Sequence, residues 1–265
     1  MLKILQTRLQ QGMRTIAFPA APPVLPDRFR GAPVLDPSHC PDGCRACVDA
    51  CPTQALSIEG SALRLDLGRC LFCTDCVEAC PEGAIGFGRD WRLSARRRED
   101  LVTDGQVLPL AEALDARARR LFGRSLKLRQ VSAGGCNACE SDVNVLSTVV
   151  FDLGRFGIQF VASPRHADGL LITGAISQNM RVALEKTYAA VPSPKLVIAV
   201  GACAISGGPY AGHPEVSNGA ESTLPVDLYV PGCPPHPITI LDGLLRLLGR
   251  IEDSRKPGDV RTPSS

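Results

Sequence analysis

Cysteine is the residue type of this chain most suited to chemistry, and eight of the twelve cysteines lie in two short runs. Each run ends in Cys-Pro, at Cys51-Pro52 and at Cys80-Pro81. Residues 44–58 and 73–87, CRACVDACPTQALSI and CTDCVEACPEGAIGF, align at a constant offset of 29 residues. A duplicated run of closely spaced thiols indicates a duplicated metal-binding unit with pseudo-twofold symmetry.

The chemistry of these runs depends on whether the thiols stay reduced. The N-terminus has no secretory signal and no twin-arginine motif, and no apolar run is long enough to span a membrane. We therefore expect a cytoplasmic protein, in which disulfides are rare and metal ligation is the better use of so many thiols. The net charge of +2 gives no reason to expect a nucleic acid partner.

The second run has the spacing Cys-x2-Cys-x2-Cys-x3-Cys-Pro that is typical of bacterial two-cluster ferredoxins. The first run has one extra residue after Cys40, which Gly43 could absorb in a looped backbone. In this pattern three cysteines bind one 4Fe–4S cluster, and the fourth binds the other cluster. The predicted ligand sets are Cys40, Cys44, Cys47 and Cys80 for one cluster, and Cys70, Cys73, Cys76 and Cys51 for the other. Structural zinc is the alternative, although zinc sites use pairs of cysteines separated by longer stretches.

After about residue 125 the pattern changes to short apolar runs alternating with helical stretches. The predicted strands are GIQFVAS, GLLITGAI, KLVIAVGAC and VDLYVPGC, and the predicted helices span 141–153, 178–190 and 237–250. This alternation predicts a parallel sheet with helices on its faces. The expected fold class is a flavodoxin-like α/β domain preceded by a bacterial-type two-cluster ferredoxin domain of α+β class.

The remaining four cysteines follow predicted strands. Cys203 and Cys233 come directly after two of the strands, and Cys136-x2-Cys139 lies between SLKLRQV and the next helix. Because open α/β sheets bind ligands at the carboxyl ends of their strands, these four thiols could hold a third 4Fe–4S cluster. The alternative is that some of them are small buried apolar residues.

Several motifs resemble a known family. GCNACE, SPRHAD, TGAISQNM, GACAISGGPY and VDLYVPGCPPHP occur in this order between about 125 and 250. They resemble the small subunit of nickel–iron hydrogenases and the homologous terminal-cluster (20 kDa-type) subunit of respiratory complex I. The N-terminal part, with DRFRGAP before the cysteines, resembles the eight-iron ferredoxin subunit of formate hydrogenlyase-type, membrane-bound hydrogenases. The chain is similar to a fusion of the two.

The resemblance implies electron transfer through three 4Fe–4S clusters to or from a catalytic site in a separate large subunit, either nickel–iron or a quinone pocket. It also implies membrane subunits, a soluble ferredoxin or formate dehydrogenase-type donor, and a position at the inner face of the cell membrane. Complex I relatives carry adjacent cysteines at the first ligand position, whereas two residues separate Cys136 from Cys139 here. This favours the hydrogenase branch; the alternative is a complex I-like NADH/ferredoxin:quinone oxidoreductase.

Three further residues are candidates for supporting roles. Glu140 adjoins a predicted ligand and is expected either to relay protons or tune the cluster potential, or to be a buried acid that caps the following helix. Relatives usually carry Glu at both acidic positions, whereas this chain has Glu140-Ser141-Asp142. Arg165 and His166 resemble residues that line the large-subunit interface, and the alternative is a hydrogen-bonded loop.

The predicted organisation has five parts. An amphipathic basic helix and Pro-rich connector (1–29) precede the ferredoxin domain (30–90), a linker with a helix (91–124), the 20 kDa-like domain (125–252) and a disordered tail (253–265). The N-terminal helix is expected either to lie on a membrane or membrane subunit, or to pack on its own domain. Two other functions are alternatives: a zinc-holding scaffold, and a free-standing electron carrier, against which the large second domain argues.

Overall fold

The computed structural model describes residues 2–41, 43–60, 62–105 and 108–252, so the predicted tail lies outside the described residues. The chain begins with helix α1 (Leu2–Gln11) and then forms two copies of one β–α–β unit. The first copy consists of β1 (Pro33–Leu35), α2 (Ala46–Ala50) and β2 (Leu56–Glu59). The second consists of β3 (Ala62–Asp66), α3 (Asp75–Glu78) and β4 (Ile85–Phe87), each beginning 29 residues after its counterpart.

The two copies pair across a pseudo-twofold axis. β1 pairs with β4 and β2 pairs with β3, both antiparallel, so each of the two small sheets contains one strand from each copy. A short strand, β5 (Val102–Thr103), extends the second sheet along β3. Helix α2 packs against α3. The structure therefore bears out the repeat that the cysteine spacing predicts.

The second half is an open parallel sheet with helices. Its strands are β6 (Leu126–Ser132), β7 (Ile158–Phe160), β8 (Gly169–Thr173), β9 (Leu196–Val200) and β10 (Leu228–Val230). Its helices are α4 (Ala116–Phe122), α5 (Ala138–Val145), α6 (Gln178–Ala190), α7 (Ala202–Ser206) and α8 (Pro237–Leu247). The strand order is β10-β9-β8-β6-β7, which is the 2-1-3-4-5 order of flavodoxin-like folds. The predicted fold class is confirmed.

Three helices are shorter than predicted, and one of them is α8, which is expected over 237–250 but ends at Leu247. The expected helix over 141–153 is α5, which begins at Ala138 and ends at Val145. It ends there because the Thr148 hydroxyl donates to the carbonyl of Val145 and two β-branched residues follow. The helix expected in the linker, over LAEALDARARRLFG (110–123), is limited to α4, because the Asp115 carboxylate accepts from the N–H of Ala118 and caps the helix start.

The linker contacts both halves of the chain: β5 pairs with β3 in the first half, and residues on either side of β5 contact the second half. Ala95 forms an antiparallel bridge with Tyr229, so the linker borders the open edge of β10. Further along, Leu114 donates its N–H to the carbonyl of Leu247 in α8. The linker therefore fixes the ferredoxin-like module to the sheet.

The joint between the two modules is tightly packed. The Ser206 hydroxyl at the end of α7 donates to the carbonyl of Gly68, at 2.9 Å. A Cβ atom on Gly68 would lie 2.7 Å from Ile205 Cγ2 and from Arg98 Cζ. Buried residues of both modules, such as Leu67 and Ile205, belong to one continuous apolar core. In the described part of the chain, no helix is both long and apolar enough to cross a bilayer.

Candidate metal centres

The first cysteine group lies around the loop before α2 and draws one member from the other repeat. Burial raises the pKa of the Cys47 thiol, and the negative charges of Cys80 and Cys40 raise it further. Cys44 lies in the same loop, three residues before Cys47. Cys80, which follows α3, is therefore near Cys40 and Cys47, as the crossed ligand assignment requires.

The second group has the mirrored composition. Burial raises the pKa of Cys70 to about 12, with smaller contributions from the charges of Cys76, Cys51 and Cys73. Burial likewise raises the pKa of Cys76 to about 11, and Cys73 and Cys51 add to the effect. Cys51, from the first repeat, thus lies beside the three cysteines of the second.

Backbone N–H groups point at the sulfur atoms in both repeats. The Cys51 sulfur accepts from the N–H of Ala55 at 3.2 Å, and the Cys80 sulfur accepts from the N–H of Ala84 at 3.3 Å. These two contacts are equivalent in the repeat. Hydrogen bonds to ligand sulfurs stabilise negative charge there and are one means of setting a cluster potential.

The third group lies at the carboxyl ends of three parallel strands. Cys136 follows β6 and Cys139 lies in the first turn of α5, while Cys203 lies in α7 after β9 and Cys233 follows β10. Burial is the main cause that raises the pKa of Cys139. The charges of Cys203, Cys233, Glu140 and Cys136 raise it further. The sheet thus brings together the four cysteines that sequence reasoning could relate only by their position after strands.

Glycines let the backbone approach the third group closely. A Cβ atom on Gly201 would lie 2.5 Å from the Cys139 sulfur, and one on Gly208 would lie 2.9 Å from the Cys203 sulfur. Both glycines have positive φ, +90° and +55°. A larger residue at either position would push a ligand sulfur out of place.

The third group is open on one side. Cys136 and Cys233 are exposed, whereas Cys139 and Cys203 are partly buried. Of the twelve cysteines only these two are exposed. A redox centre held here would therefore face the molecular surface.

Glu140 connects helix α5 to the sheet below it. It is buried, and its carboxylate accepts from the Ser132 hydroxyl at 2.6 Å and from the Thr173 hydroxyl at 2.7 Å. Burial alone would raise the pKa of Glu140, but these bonds and one from its own N–H outweigh it and lower the pKa. Sequence reasoning missed Ser132 and Thr173; their place at the carboxyl ends of adjacent strands was the available signal.

Arg165 and His166 lie away from the cysteines. They belong to a short 3-10 helix, Pro164–His166, that precedes the amino end of β8. Together with Lys127, Asp168 and Pro194 they line an open groove of about 420 Å³. The structure does not bring them to the third group, so a role at a partner interface stays a prediction.

The geometry of the thiols bears on which metal they fit. Within the described residues, no three His, Cys, Asp or Glu side chains converge closely enough to hold a single metal ion. A structural zinc site needs four ligands, with sulfurs about 2.3 Å from one ion. A 4Fe–4S cluster places an iron before each sulfur, so its ligands surround a larger body. Thiols grouped in this way, with N–H donors to two sulfurs and glycine-lined approaches to two others, fit such clusters.

The three groups follow one another in space. Burial and the charges of Cys73 and Cys51 are the main causes that raise the pKa of Cys76. The charge of Cys47, from the first group, adds a smaller contribution. In the same way, burial and the charge of Cys136 are the main causes that raise the pKa of Cys233, and the charge of Cys73, from the second group, adds a smaller contribution. The packing agrees: α2, which contains Cys47, packs against α3, which contains Cys76, and Phe72, next to Cys73, lines one cavity with Cys233. The second group therefore neighbours both others.

Known proteins share both halves of the chain. Residues 136–247 match the family model described as NADH ubiquinone oxidoreductase, 20 Kd subunit. Residues 39–84 match the 4Fe-4S dicluster domain.

Individual relatives come from several complexes. Formate hydrogenlyase subunit 7 of Escherichia coli is 42% identical over 140 residues, which is 52% of this chain and only about half (55%) of that protein. The B subunit of NADH-quinone oxidoreductase from Heliobacterium modesticaldum is 36% identical over 167 residues, covering 63% of this chain and 92% of that protein. A solved archaeal structure of the membrane-bound sulfane sulfur reductase overlaps 51% of this chain and 75% of its own, at 32% identity and a TM-score of 0.45.

The match to the Heliobacterium protein covers nearly its whole length, and the matched family segment contains the third cysteine group. The resemblance drawn from the motifs is thereby confirmed. The chain belongs to the 20 kDa subunit family of NADH ubiquinone oxidoreductase, carries a 4Fe-4S dicluster domain ahead of it, and is an iron–sulfur protein of oxidoreductase complexes.

Proposed function

We propose that this chain is the electron-transfer subunit of a membrane-associated nickel–iron hydrogenase complex of formate hydrogenlyase type, holding three 4Fe–4S clusters. The observation that carries the proposal is the arrangement of the groups: α2 packs against α3, and Phe72, next to Cys73, lines one cavity together with Cys233. The third group ends this arrangement at two exposed thiols, Cys136 and Cys233. Each cluster, when bound, accepts and releases one electron.

The protein's own residues hold and insulate this path. The cysteines fix the order of the groups, and the N–H groups of Ala55 and Ala84 donate to ligand sulfurs. The joint at Gly68 and Ser206 keeps the second and third groups together within one chain. Because the third group faces the surface, a large catalytic subunit would cover it, and a soluble donor would meet the first group.

The hydrogenase assignment is supported by two features. Two residues separate Cys136 from Cys139, as in hydrogenase small subunits and unlike complex I relatives. The formate hydrogenlyase relative is 42% identical over the aligned segment. The second candidate, a complex I-like quinone oxidoreductase subunit, is favoured by the long alignment with the Heliobacterium protein.

Purification of the native complex under anaerobic conditions distinguishes the two candidates. We expect a co-purifying large subunit that contains nickel and that reduces a viologen dye with hydrogen. A nickel-free large subunit, together with quinone reduction and no hydrogen uptake, would replace the hydrogenase proposal with the second candidate.

Helix α1 supports the proposed membrane association. Leu2, Leu5, Leu9 and Met13 are all strongly exposed, and α1 has no buried residue, so the helix does not pack on its own domain. Its charged residues are basic, Lys3 and Arg8, and no acid occurs before Asp27. Hydrogen bonds from Thr15 and Ile16 to the carbonyls of Val149 and Val150 fix the segment that follows it.

We expect the Leu5→Glu/Leu9→Glu double variant to bind phosphatidylserine-containing vesicles roughly a hundredfold more weakly than the wild type, since each inserted leucine contributes about 1.5 kcal/mol or more. Co-sedimentation of the purified chain with vesicles measures this. Val24→Glu, which changes a fully exposed apolar residue outside α1, is the matched control and should bind normally. Equal sedimentation of the double variant and the wild type would contradict a lipid-facing α1.

A further inference from the structure

The two repeats share positions of left-handed backbone. Gly43 and Phe72 occupy equivalent positions and have φ of 75° and 54°. Gln54 and Gly83 form a second equivalent pair, with φ of 53° and 65°. In each pair one repeat carries glycine, which adopts this conformation without steric conflict, and the other carries a residue with a side chain.

Of the two non-glycine residues, Phe72 and Gln54, Phe72 is the less favourable at positive φ. A bulky residue at positive φ is a conformational outlier that persists only where surrounding structure holds it. The first repeat carries glycine at the equivalent position, Gly43, with a similar positive φ. The backbone conformation therefore does not explain why the second repeat carries phenylalanine, and the reason must lie with the ring.

The Phe72 ring lies between the second and third cysteine groups. Phe72 immediately precedes Cys73, and its ring centroid is 6.1 Å from that of Phe87. It also lines a cavity of about 320 Å³ that Cys233, Leu93 and Pro234 border from the other module. The N–H of Phe72 donates to the Cys70 sulfur at 3.3 Å, so the strained loop also helps orient a ligand of the second group.

The cavity marks a place where water could enter the joint. Its lining includes polar side chains, among them Asp142 and His236, beside the two facing cysteine loops. Solvent near a cluster stabilises the reduced form, because reduction adds negative charge, and thereby raises its potential. An apolar ring at this position keeps that side of the second group dry.

We propose that Phe72 is a positioning residue that excludes water from the gap between the second and third groups and thereby sets the potential of the second relative to the third. The proposal rests on the proposed electron-transfer function. The step concerned moves one electron from a reduced cluster on Cys51, Cys70, Cys73 and Cys76 to an oxidised cluster on the third group. No proton and no other reactant takes part.

The test compares Phe72→Gly with the matched control Gln54→Gly. Both variants replace a non-glycine residue at positive φ by glycine. Gln54 is exposed and does not line the cavity that Phe72 and Cys233 border; it lines a separate groove with Arg69 and Ser206. Redox titration of the anaerobically purified full-length chain, followed by electron paramagnetic resonance, gives the potential of each cluster. Phe72→Tyr, which keeps the ring, should behave like the wild type.

We expect Phe72→Gly to shift the equilibrium of an electron between the second and third clusters about tenfold toward the second, which is about 59 mV for a one-electron couple. The potential of the first cluster and all potentials of Gln54→Gly should stay unchanged. Unchanged potentials in Phe72→Gly, or an equal shift in Gln54→Gly, would overturn the proposal. Because the potentials are measured without a partner, this failure is distinct from an incorrect hydrogenase assignment, which the nickel and hydrogen assays report.

Discussion

Cys139→Ala will remove the third cluster and leave the first two. Cys139 lies in the first turn of α5, and the charges of Cys203, Cys233 and Cys136 all act on it. A cluster left with three cysteine ligands at a surface-facing site loses iron readily, so iron should fall from about twelve to about eight per chain. The variant should no longer deliver electrons to a partner large subunit. Its first cluster should still exchange electrons with a dye.

Iron analysis and electron paramagnetic resonance of the anaerobically purified variant measure this effect. Ser141→Ala is the matched control, because Ser141 lies in the same helix and its hydroxyl donates to the Asn137 carbonyl at 2.9 Å rather than to a ligand. The signals of the first two clusters report that the variant has folded. A Cys139→Ala protein that retains all the iron of the wild type would contradict the assignment of the third group.

Gly201→Ala should have almost the same effect without removing any thiol. Its Cβ would stand 2.5 Å from the Cys139 sulfur, and its φ of +90° disfavours any side chain. Either the sulfur or the α7 loop must move, and the loop carries Cys203. We therefore expect loss of the third cluster together with a marked fall in the free energy of unfolding.

Gly212→Ala separates the cost of a side chain at positive φ from the effect of the clash with the Cys139 sulfur. Gly212 has a similar φ of +83°, but a Cβ there would meet nothing within 4 Å. This variant should lose only about 1 kcal/mol of unfolding free energy and keep all its iron. Urea denaturation and iron analysis of both variants provide the comparison. If Gly201→Ala keeps the third cluster, the close approach of backbone to Cys139 does not matter for the site.

The repeat was the part of the fold most readily predicted from the sequence. Cys44-x2-Cys47 and Cys73-x2-Cys76 fix an offset of 29 residues, and every element of the second β–α–β unit follows at that offset. The parallel sheet was predictable because its strands, such as Leu196–Val200, are wholly buried and apolar. Helix boundaries were harder to predict, since Asp115 sets the start of α4 and Thr148 the end of α5 through side-chain hydrogen bonds that periodicity does not reveal.

The contacts between modules could not be predicted. Nothing local to Gly68 indicates that Ser206, 138 residues later, donates to its carbonyl. Likewise, Arg165 belongs to the family motif SPRHAD, yet the fold places it before the amino end of β8, away from the third group. Tertiary packing decides such positions, and sequence spacing carries information only within one element or one repeat.

The central claim is that all twelve thiols bind iron in three clusters. Iron, zinc and acid-labile sulfide analysis of the anaerobically purified chain, with alkylation of the native protein, tests it most directly. We predict about twelve irons and about twelve sulfides per chain, little zinc, and no alkylated cysteine before the clusters are removed. About eight irons, with Cys136, Cys139, Cys203 and Cys233 alkylated in the native protein, would contradict it.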